Sequence, residues 1–539
     1  MGEGTVRVRF EPDGREADVR SGSTLLQAAL AAGITIAAPC GGRGTCGSCR
    51  VRASGALSPL SDVEAEVLGG AGVAAGKRLA CRARALGDVV VQTADTGYTA
   101  RIVTDEATRG EATGHASAVG ASVPIGPRGL GAAVDLGTTT IATLLVDLAS
   151  GEVVARASDL NPQRHFGADV MSRVSAALRD GPGRMRQLTA LAIEAMLVAA
   201  AESAGATVGD IHEIVVVGNT AMTGLLRGAD LTALGAAPYE GAPIDAVDLT
   251  AAELGMERLG PTRVRIPPGA SAFLGSDVTA GLLATELAVC PGAAMFIDLG
   301  TNGEMVLSHC EGMLGASAAA GPALEGATIE HGMIAEAGAV ERVSVVDGGL
   351  VLGVIGNGAP RGICGSGLLD LVAALLSFGV VDRDGRMHEV TTGPLAGRVV
   401  ARDGVRAFVV DEASGVVLTQ RDVREVQLAC GAVRTGIELL LAEAGLKTED
   451  VGQVVIAGGF GLHIDAHAVV RVGLVPAGWV DAIAFGGNTA LAGARMLLLG
   501  LEPWERIAGI AEGVRVLDLA AHPEFASRFM ASLSFPEPR

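Results

Sequence analysis

At 539 residues the chain is too long for one hydrophobic core and predicts three or four units of roughly 100 to 200 residues each. Its 60 acidic against 41 basic side chains give a formal charge of -19, spread along the sequence without an acidic tail, which argues against a phosphate backbone and so against nucleic acid as a partner. Mean hydropathy is +0.42, yet the apolar stretches are short or interrupted, as by Glu194 within Leu191 to Ala201, and none reaches the roughly 20 residues that span a bilayer, so no membrane association is expected.

Met1 leads directly into an alternating segment, Val6, Val8 and Phe10 against Arg7 and Arg9, with no room for a signal peptide. The expected compartment is the cytoplasm, where disulfides are not expected among the eight cysteines. Val6 to Phe10, an Asp13-Gly14 turn and Glu16 to Val19 read as a β-hairpin. In the helix that follows, Thr24 and Gln27 have capping-box spacing, Leu25, Leu26, Ala29 and Leu30 form one apolar face, and Gly33 stands where a C-terminal stop belongs. Next comes Cys40-Gly-Gly-Arg-Gly-Thr-Cys46-Gly-Ser-Cys49, with a fourth cysteine at Cys81. Thiolates satisfy ferric iron, while Gly41, Gly42, Gly44 and Gly47 let the backbone wrap closely and aim N–H groups at the sulfurs. The C-x5-C-x2-C spacing is one residue longer than the plant-type C-x4-C-x2-C and resembles the adrenodoxin-like [2Fe-2S] ferredoxins. Structural zinc sites pair cysteines two to four apart at both ends, and Cys81 has no near partner, so Cys40, Cys46, Cys49 and Cys81 are read as holders of a [2Fe-2S] cluster. Cys290, Cys310, Cys364 and Cys430 stand among apolar residues and are expected to be buried small hydrophobes without a redox role. Strand-like Asp88 to Gln92 closes this unit. The polar, Gly- and Ala-rich stretch after it reads as a linker that would suit a swinging ferredoxin, a passive tether or a dimerisation arm.

Ala132-Ala-Val-Asp135-Leu-Gly137-Thr138-Thr139-Thr140 then runs into Ile141 to Leu148, a Ser150-Gly151 turn and Val153 to Ala157. An apolar strand that ends in Asp-Leu-Gly-Thr and returns as a second strand makes a hairpin whose tip offers hydroxyls and N–H groups to phosphate. The pattern recurs at Ala294-Met-Phe-Ile-Asp298-Leu-Gly300-Thr301-Asn302-Gly303-Glu304. The repeat predicts two related lobes facing a cleft, with Asp135 and Asp298 approaching one Mg²⁺ from opposite sides, largely through its waters. A third element, Val454-Val-Ile-Ala-Gly458-Gly459-Phe460-Gly461, is a buried strand entering a glycine turn against which a planar adenine could lie. This order resembles the actin, sugar-kinase and heat-shock-protein ATPase superfamily, whereas the P-loop pattern is absent.

The two halves together resemble the ferredoxin-type reductive activators of corrinoid proteins. The resemblance rests on the motifs above and on Asn161-Pro-Gln163 with Gly167-Ala-Asp169, Gly218-Asn-Thr220, Gly321-Pro-Ala323 with Glu325-Gly326, Gly362-Ile-Cys-Gly-Ser-Gly367, Leu418-Thr-Gln-Arg-Asp422 and Gly486-Gly-Asn-Thr489. It implies that the chain uses ATP to return one electron to a corrinoid cofactor that has lapsed from Co(I) to Co(II), with a corrinoid protein of a methyltransferase system and an upstream electron donor as partners. A homodimer stays open. The chain departs from the family pattern at Cys430, where a Lys is expected, and a neutral packing substitution is the favoured reading. Ser366 is read either as facing an anion or the corrinoid or as a helix N-cap, Asn161 to Gln163 and Asp169 as positioning water or metal, with a helix N-terminus as the alternative for Asp169, and His463 and His467 as structural or surface residues.

The expected architecture is multidomain: a β-grasp [2Fe-2S] ferredoxin domain (1–94), a linker (95–128), and a two-lobed α/β ATPase with ribonuclease-H-like sheets, its first lobe at 129–289 and its second at 290–539. Asp135, Gly137, Thr138, Thr139, Asp298, Gly300, Thr301, Asn302, Gly458 and Gly459 are expected to form the Mg-ATP cleft. The alternatives are a nucleotide-binding redox sensor and an ATP-coupled electron donor to another low-potential enzyme.

Overall fold

A computed structural model describes residues 5–11, 14–32, 34, 36, 49–74, 76–92, 129–167, 169–237, 239, 241–289, 292–346, 349–402, 404–458 and 464–537. Asp13, Gly33, Cys40, Cys46, the linker 95–128, Cys290, Gly459 and His463 lie outside the described residues. The chain forms two compact units, the first made of Met1–Thr99, Leu160–Ala192 and Leu225–Tyr239, the second of Ala100–Asp159, Ile193–Gly224 and Glu240–Arg539.

In the first unit, β1 (Thr5–Glu11) pairs antiparallel with β2 (Arg15–Arg20), Val6 opposite Val19. The period-2 pattern works as read: Val6, Val8 and Phe10 are buried and Arg7 and Arg9 exposed. Helix α1 (Leu25–Ala31) starts with the expected capping box, Gln27 N donating to Thr24 Oγ1 and Thr24 N to Gln27 Oε1. β3 (Arg50–Leu57), α2 (Asp62–Ala74), β4 (Lys77–Leu79) and β5 (Ala85–Gln92) complete a five-stranded sheet in the order β2-β1-β5-β3-β4, with β1 and β5 parallel. The strand foreseen at Asp88 starts three residues earlier, at Ala85, because Leu57 pairs with Ala85 past an irregularity at Gly55. Val8, Phe10, Leu25, Leu79 and Val91 fill the core between sheet and helices. Buried Glu64 fastens α2 to β4: it accepts from Arg78 Nε (2.9 Å) and Nη2 (3.0 Å) and from the backbone N–H of Ser61 and Leu79.

The second unit contains the predicted repeat. β6 (Leu130–Leu136), β7 (Thr140–Asp147) and β8 (Val153–Leu160) form an antiparallel meander. Beside them, β9 (Ile211–Gly218) runs parallel to β6, and β10 (Val247–Thr250) and β11 (Arg263–Ile266) complete the order β10-β11-β9-β6-β7-β8. The second sheet repeats the plan with β12 (Ala293–Leu299), β13 (Gly303–His309) and β14 (Gly312–Ala318) as the meander. Small sheets β15 (Ala339–Val346), β16 (Gly349–Val354) and β17 (Gly362–Ile363), then β18 (Val399–Arg402), β19 (Val405–Asp411) and β20 (Val416–Thr419), interrupt the chain before β21 (Val451–Ala457) returns parallel to β12. β22 (Ile483–Gly487) and β23 (Val514–Val516) complete the order β22-β21-β12-β13-β14-β23. β6 and β12 are buried on both faces, as apolar runs flanked by a strand on each side should be.

Two helices, α3 (Ser276–Thr285) and α4 (Thr489–Leu498), pack against each other and share one apolar core with both sheets through Val215, Val217, Phe296, Val306 and Val455. They cross where side chains are absent: a Cβ on Gly493 would lie 2.1 Å from the carbonyl oxygen of Ala280, and one on Gly281 would lie 2.9 Å from Thr489 Oγ1 and 2.6 Å from the ring of Phe296 on β12. This is the two-lobed ribonuclease-H-like body expected from the sequence. Among the described residues no helix is long and apolar enough to cross a membrane.

Candidate functional site

Each hairpin tip is set by backbone constraints. A Cβ on Gly137 would meet the carbonyl oxygen of Thr140 at 2.8 Å, and the N–H of Gly300 donates to the carbonyl of Asn302 at 2.9 Å, so both chains reverse within three residues and leave their threonines at the tip. A third backbone joins them at Gly458. Its φ is 125°, and a Cβ there would stand 2.2 Å from the carbonyl oxygen of Leu299 and 3.3 Å from Asp298 Oδ1, so only glycine lets β21 end against the second tip.

The structure brings Asp135, Gly137, Thr138, Thr139, Asp298, Gly300, Thr301, Asn302 and Gly458 onto one cleft of about 110 Å³. Gly459 lies outside the described residues. The same cleft is also lined by polar side chains that the motif reading did not assign to it, among them Asn219, Asp277, Glu304, Glu325 and Asn488. Asn219 donates to Thr138 Oγ1 (2.9 Å) while its own oxygen accepts from Met222 N at the start of a helix. Asn488 does the same in the other repeat, donating to Asp135 Oδ2 (2.7 Å) and accepting from Leu491 N to cap α4. Both belong to Gly-Asn-Thr sequences, which was the available signal. Glu304 and Glu325 lay inside quoted motifs, and Asp277, in the first turn of α3, had no sequence signal.

So many carboxylates cannot all ionise cheaply. Burial, tempered by the hydrogen bond from Asn488, raises Asp135 to about 6. Burial with the charges of Asp135 and Glu325 raises Asp298 to about 7. Burial with Asp298 and Asp135 raises Asp277 to about 8, and burial with Asp277 and Asp298 lifts Glu304 well above the ordinary range. A polyphosphate could enter so acidic a cleft only with a divalent cation. Among the described residues no three carboxylate, thiol or imidazole groups are placed to ligate a metal directly, so Mg²⁺ here would be held largely through its waters, which it gives up reluctantly.

In the first unit, the Ala80 N–H donates to the carbonyl of Cys49 (2.8 Å), which draws the ends of the two cysteine segments together. The Cys49 and Cys81 sulfurs lie 3.3 Å apart in the domain's core, too far for the 2.05 Å of a disulfide and suited to sharing one iron centre. The remaining two expected ligands, Cys40 and Cys46, are outside the described residues.

Residues 8–86 match a 2Fe-2S iron-sulfur cluster binding domain, residues 130–289 the RACo middle region, and residues 292–539 the C-terminal domain of RACo, the ASKHA domain. The chain is 34% identical over 422 residues to the corrinoid activation enzyme RamQ of Eubacterium limosum, covering 75% of this chain and 70% of that one. The chain belongs to the family of corrinoid reductive activators. A Co(II) methylated amine-specific corrinoid protein reductase of Methanosarcina barkeri is 26% identical over 438 residues, 75% of this chain and 77% of its own. A solved structure of a reductive activator for corrinoid, iron-sulfur protein is similar with a TM-score of 0.72 at 28% identity, covering 99% of this chain and 98% of that one.

As a corrinoid reductive activator, the chain uses a [2Fe-2S] cluster and Mg-ATP. Several residues outside the main motifs have local partners at helix or turn starts or lie at the surface. Asp169 caps a helix in a capping box with Ser172, Asn161 caps the turn Pro162–His165, and His467 is exposed beside Asp465. Ser366 is neither exposed to an anion nor an N-cap: Cys364 holds that position and Ser366 is fully buried in the first turn of its helix. Cys430 is buried, and burial pushes its thiol up to about 12. Cys364 is buried too, but Cys310 is exposed, which corrects the expectation for it: the residue sits in the short turn between β13 and β14, where the strand's inward alternation has ended.

Proposed function

We propose that this chain works in the cytoplasm as an ATP-dependent activator that restores the Co(II) corrinoid protein of a methyltransferase system to Co(I), one electron at a time, fed by an upstream donor. The observation that carries the reading is the combination in one chain of a paired-cysteine ferredoxin fold and an acidic two-lobed cleft. When bound, the [2Fe-2S] cluster supplies one-electron transfer and Mg-ATP supplies driving force. The proposed domain limits are 1–94, 95–128, 129–289 and 290–539.

Cys40, Cys46, Cys49 and Cys81 hold the cluster. Asp135 and Asp298 would hold Mg²⁺ through its waters, and Asn488 keeps Asp135 oriented. Thr138, Thr139, Thr301 and Asn302 offer donors to phosphate, Gly137 and Gly300 allow the tips to close around it, and Gly458 with Gly459 lets the adenosine end approach backbone. Coupling is needed because each 59 mV of uphill potential for one electron is about 1.4 kcal/mol.

The test is reduction of a cognate Co(II) corrinoid protein by a chemical reductant with a catalytic amount of this chain. Co(I) absorbance is expected with Mg-ATP and stays weak without it. Equal Co(I) yield with and without ATP refutes the reading. Cys46→Ser and Asp298→Asn should each abolish the reaction, and recovery on mixing the two variants would identify a homodimer that works in trans.

A further inference from the structure

Glu325 Oε2 accepts a hydrogen bond from the Thr139 hydroxyl at 2.8 Å and another from the Thr301 hydroxyl at 2.6 Å. The two threonines stand at the two hairpin tips, one in each repeat, so a single carboxylate oxygen bridges the halves of the cleft. A phosphate oxygen placed between the tips would take the same two donors, because both groups are anionic oxygen acceptors of similar reach.

Glu325 ends a short turn, Pro322–Glu325, held between Gly321 (φ 75°) and Gly326 (φ 77°). A Cβ on Gly326 would lie 2.7 Å from the Met333 nitrogen, so the turn is packed closely against the segment after it. That segment is itself fastened: Met333 N–H donates to the carbonyl of Ile363 (3.0 Å), and Glu330 N–H donates to Asp422 (2.9 Å), which caps the long helix Gln420–Glu443 with Thr419. A displacement of Glu325 therefore pulls on a chain segment anchored at β17 and at a helix start.

We propose that Glu325 is a positioning residue that occupies the seat of the terminal phosphate of ATP, and that the third phosphate displaces it and opens the Thr139–Glu325–Thr301 bridge. The inference rests on the reading of this cleft as a Mg-ATP site. ADP, which ends at its second phosphate, leaves the bridge closed. ATP cannot share the two hydroxyls with a carboxylate, since two anions within hydrogen-bonding distance of the same donors repel strongly. The chain thereby distinguishes triphosphate from diphosphate with a residue that belongs to neither hairpin.

The experiment is calorimetric titration of the full chain and of Glu325→Gln and Glu325→Asp with Mg²⁺ and either ADP or a non-hydrolysable ATP analogue. Glu325→Gln, which removes the competing charge, should tighten the triphosphate about tenfold and leave ADP within about twofold. Glu325→Asp, too short to span both hydroxyls, should shift the triphosphate-to-diphosphate ratio in the same direction. An unchanged ratio, equal tightening of both nucleotides, or weaker triphosphate binding overturns the proposal, and the Asp variant decides alone if the Gln variant fails to fold. Wild-type protein that binds neither nucleotide with Mg²⁺ overturns instead the ATP reading of the cleft, so the two failures are distinct.

Discussion

Asp298→Asn should inactivate the cleft and at the same time stabilise the nucleotide-free protein, increasingly so at higher pH. In the folded chain this carboxyl is raised from an ordinary 3.8 to about 7 by burial and by the charges of Asp135 and Glu325. A raised carboxyl binds its proton more tightly folded than unfolded, so the stability it contributes is complete below about pH 4 and is lost as pH rises, levelling off above about pH 7. At 1.36 kcal/mol for each unit, the full penalty is about 4 kcal/mol at pH 8 and under about 2 kcal/mol at pH 5. The carboxylate opens onto the cleft, and water there reduces this, so the gain from the Asn variant should grow by about 1–3 kcal/mol between pH 5 and pH 8. The assay is urea unfolding of the full chain in a metal chelator, followed by fluorescence. The chain's two tryptophans, Trp479 and Trp504, both lie in the second unit, so the signal reports that unit. Asp135 and Asp277 act in the same direction, so the wild type should lose stability up to about pH 8, and Mg²⁺ should restore it. A wild type that gains stability from pH 5 to pH 8 without metal, or an Asn variant with the same slope, refutes the acid-cluster argument.

Gly458→Ala forces a Cβ to within 2.2 Å of the Leu299 carbonyl at a φ of 125°. It should lower the stability of the second unit by about 2–4 kcal/mol and abolish nucleotide binding, and an unchanged tryptophan midpoint would contradict the close approach. In the first unit, Arg78→Met leaves Glu64 buried without its two-pronged partner and should cost about 3–5 kcal/mol, read as loss of cluster absorbance at lower temperature. Burial pushes the Glu64 carboxyl up, but the bonds from Arg78, Ser61 and Leu79 pull it further down, to below 4.5. Its contribution is therefore present above that value and lost as pH falls through its folded range, and a cluster unit equally stable at pH 3 and pH 6 would contradict this assignment.

What could be read in advance was whatever depends on neighbours in sequence. The alternation in β1, the Thr24–Gln27 box and the two Asp-Leu-Gly-Thr tips each fit within ten residues, and each forms as read. The rest of the cleft could not be read this way, because it is assembled across long separations. Asn488 reaches Asp135 from 353 positions away, Glu325 reaches Thr139 from 186, and Asp277 enters on a helix whose first turn looks like any acidic helix start. Cys310 shows the converse failure: the apolar run Met305 to Leu307 suggested burial, but the residue falls beyond it, between His309 and Glu311, where the strand has already turned.

The asparagines explain why this cleft is built on helix ends. Asn219 and Asn488 each spend one side-chain group on the first turn of a helix and the other on a tip residue, so the tips cannot shift without moving those helices. α4 in turn crosses α3 at Gly493 and Ala280 with no space for even a methyl group, and α3 carries Asp277 back to the same cleft. Close-packed contacts of this kind transmit displacement instead of absorbing it. The acids of the cleft are therefore joined, through these asparagine caps and the Gly493–Ala280 crossing, to the helix pair that packs between both sheets.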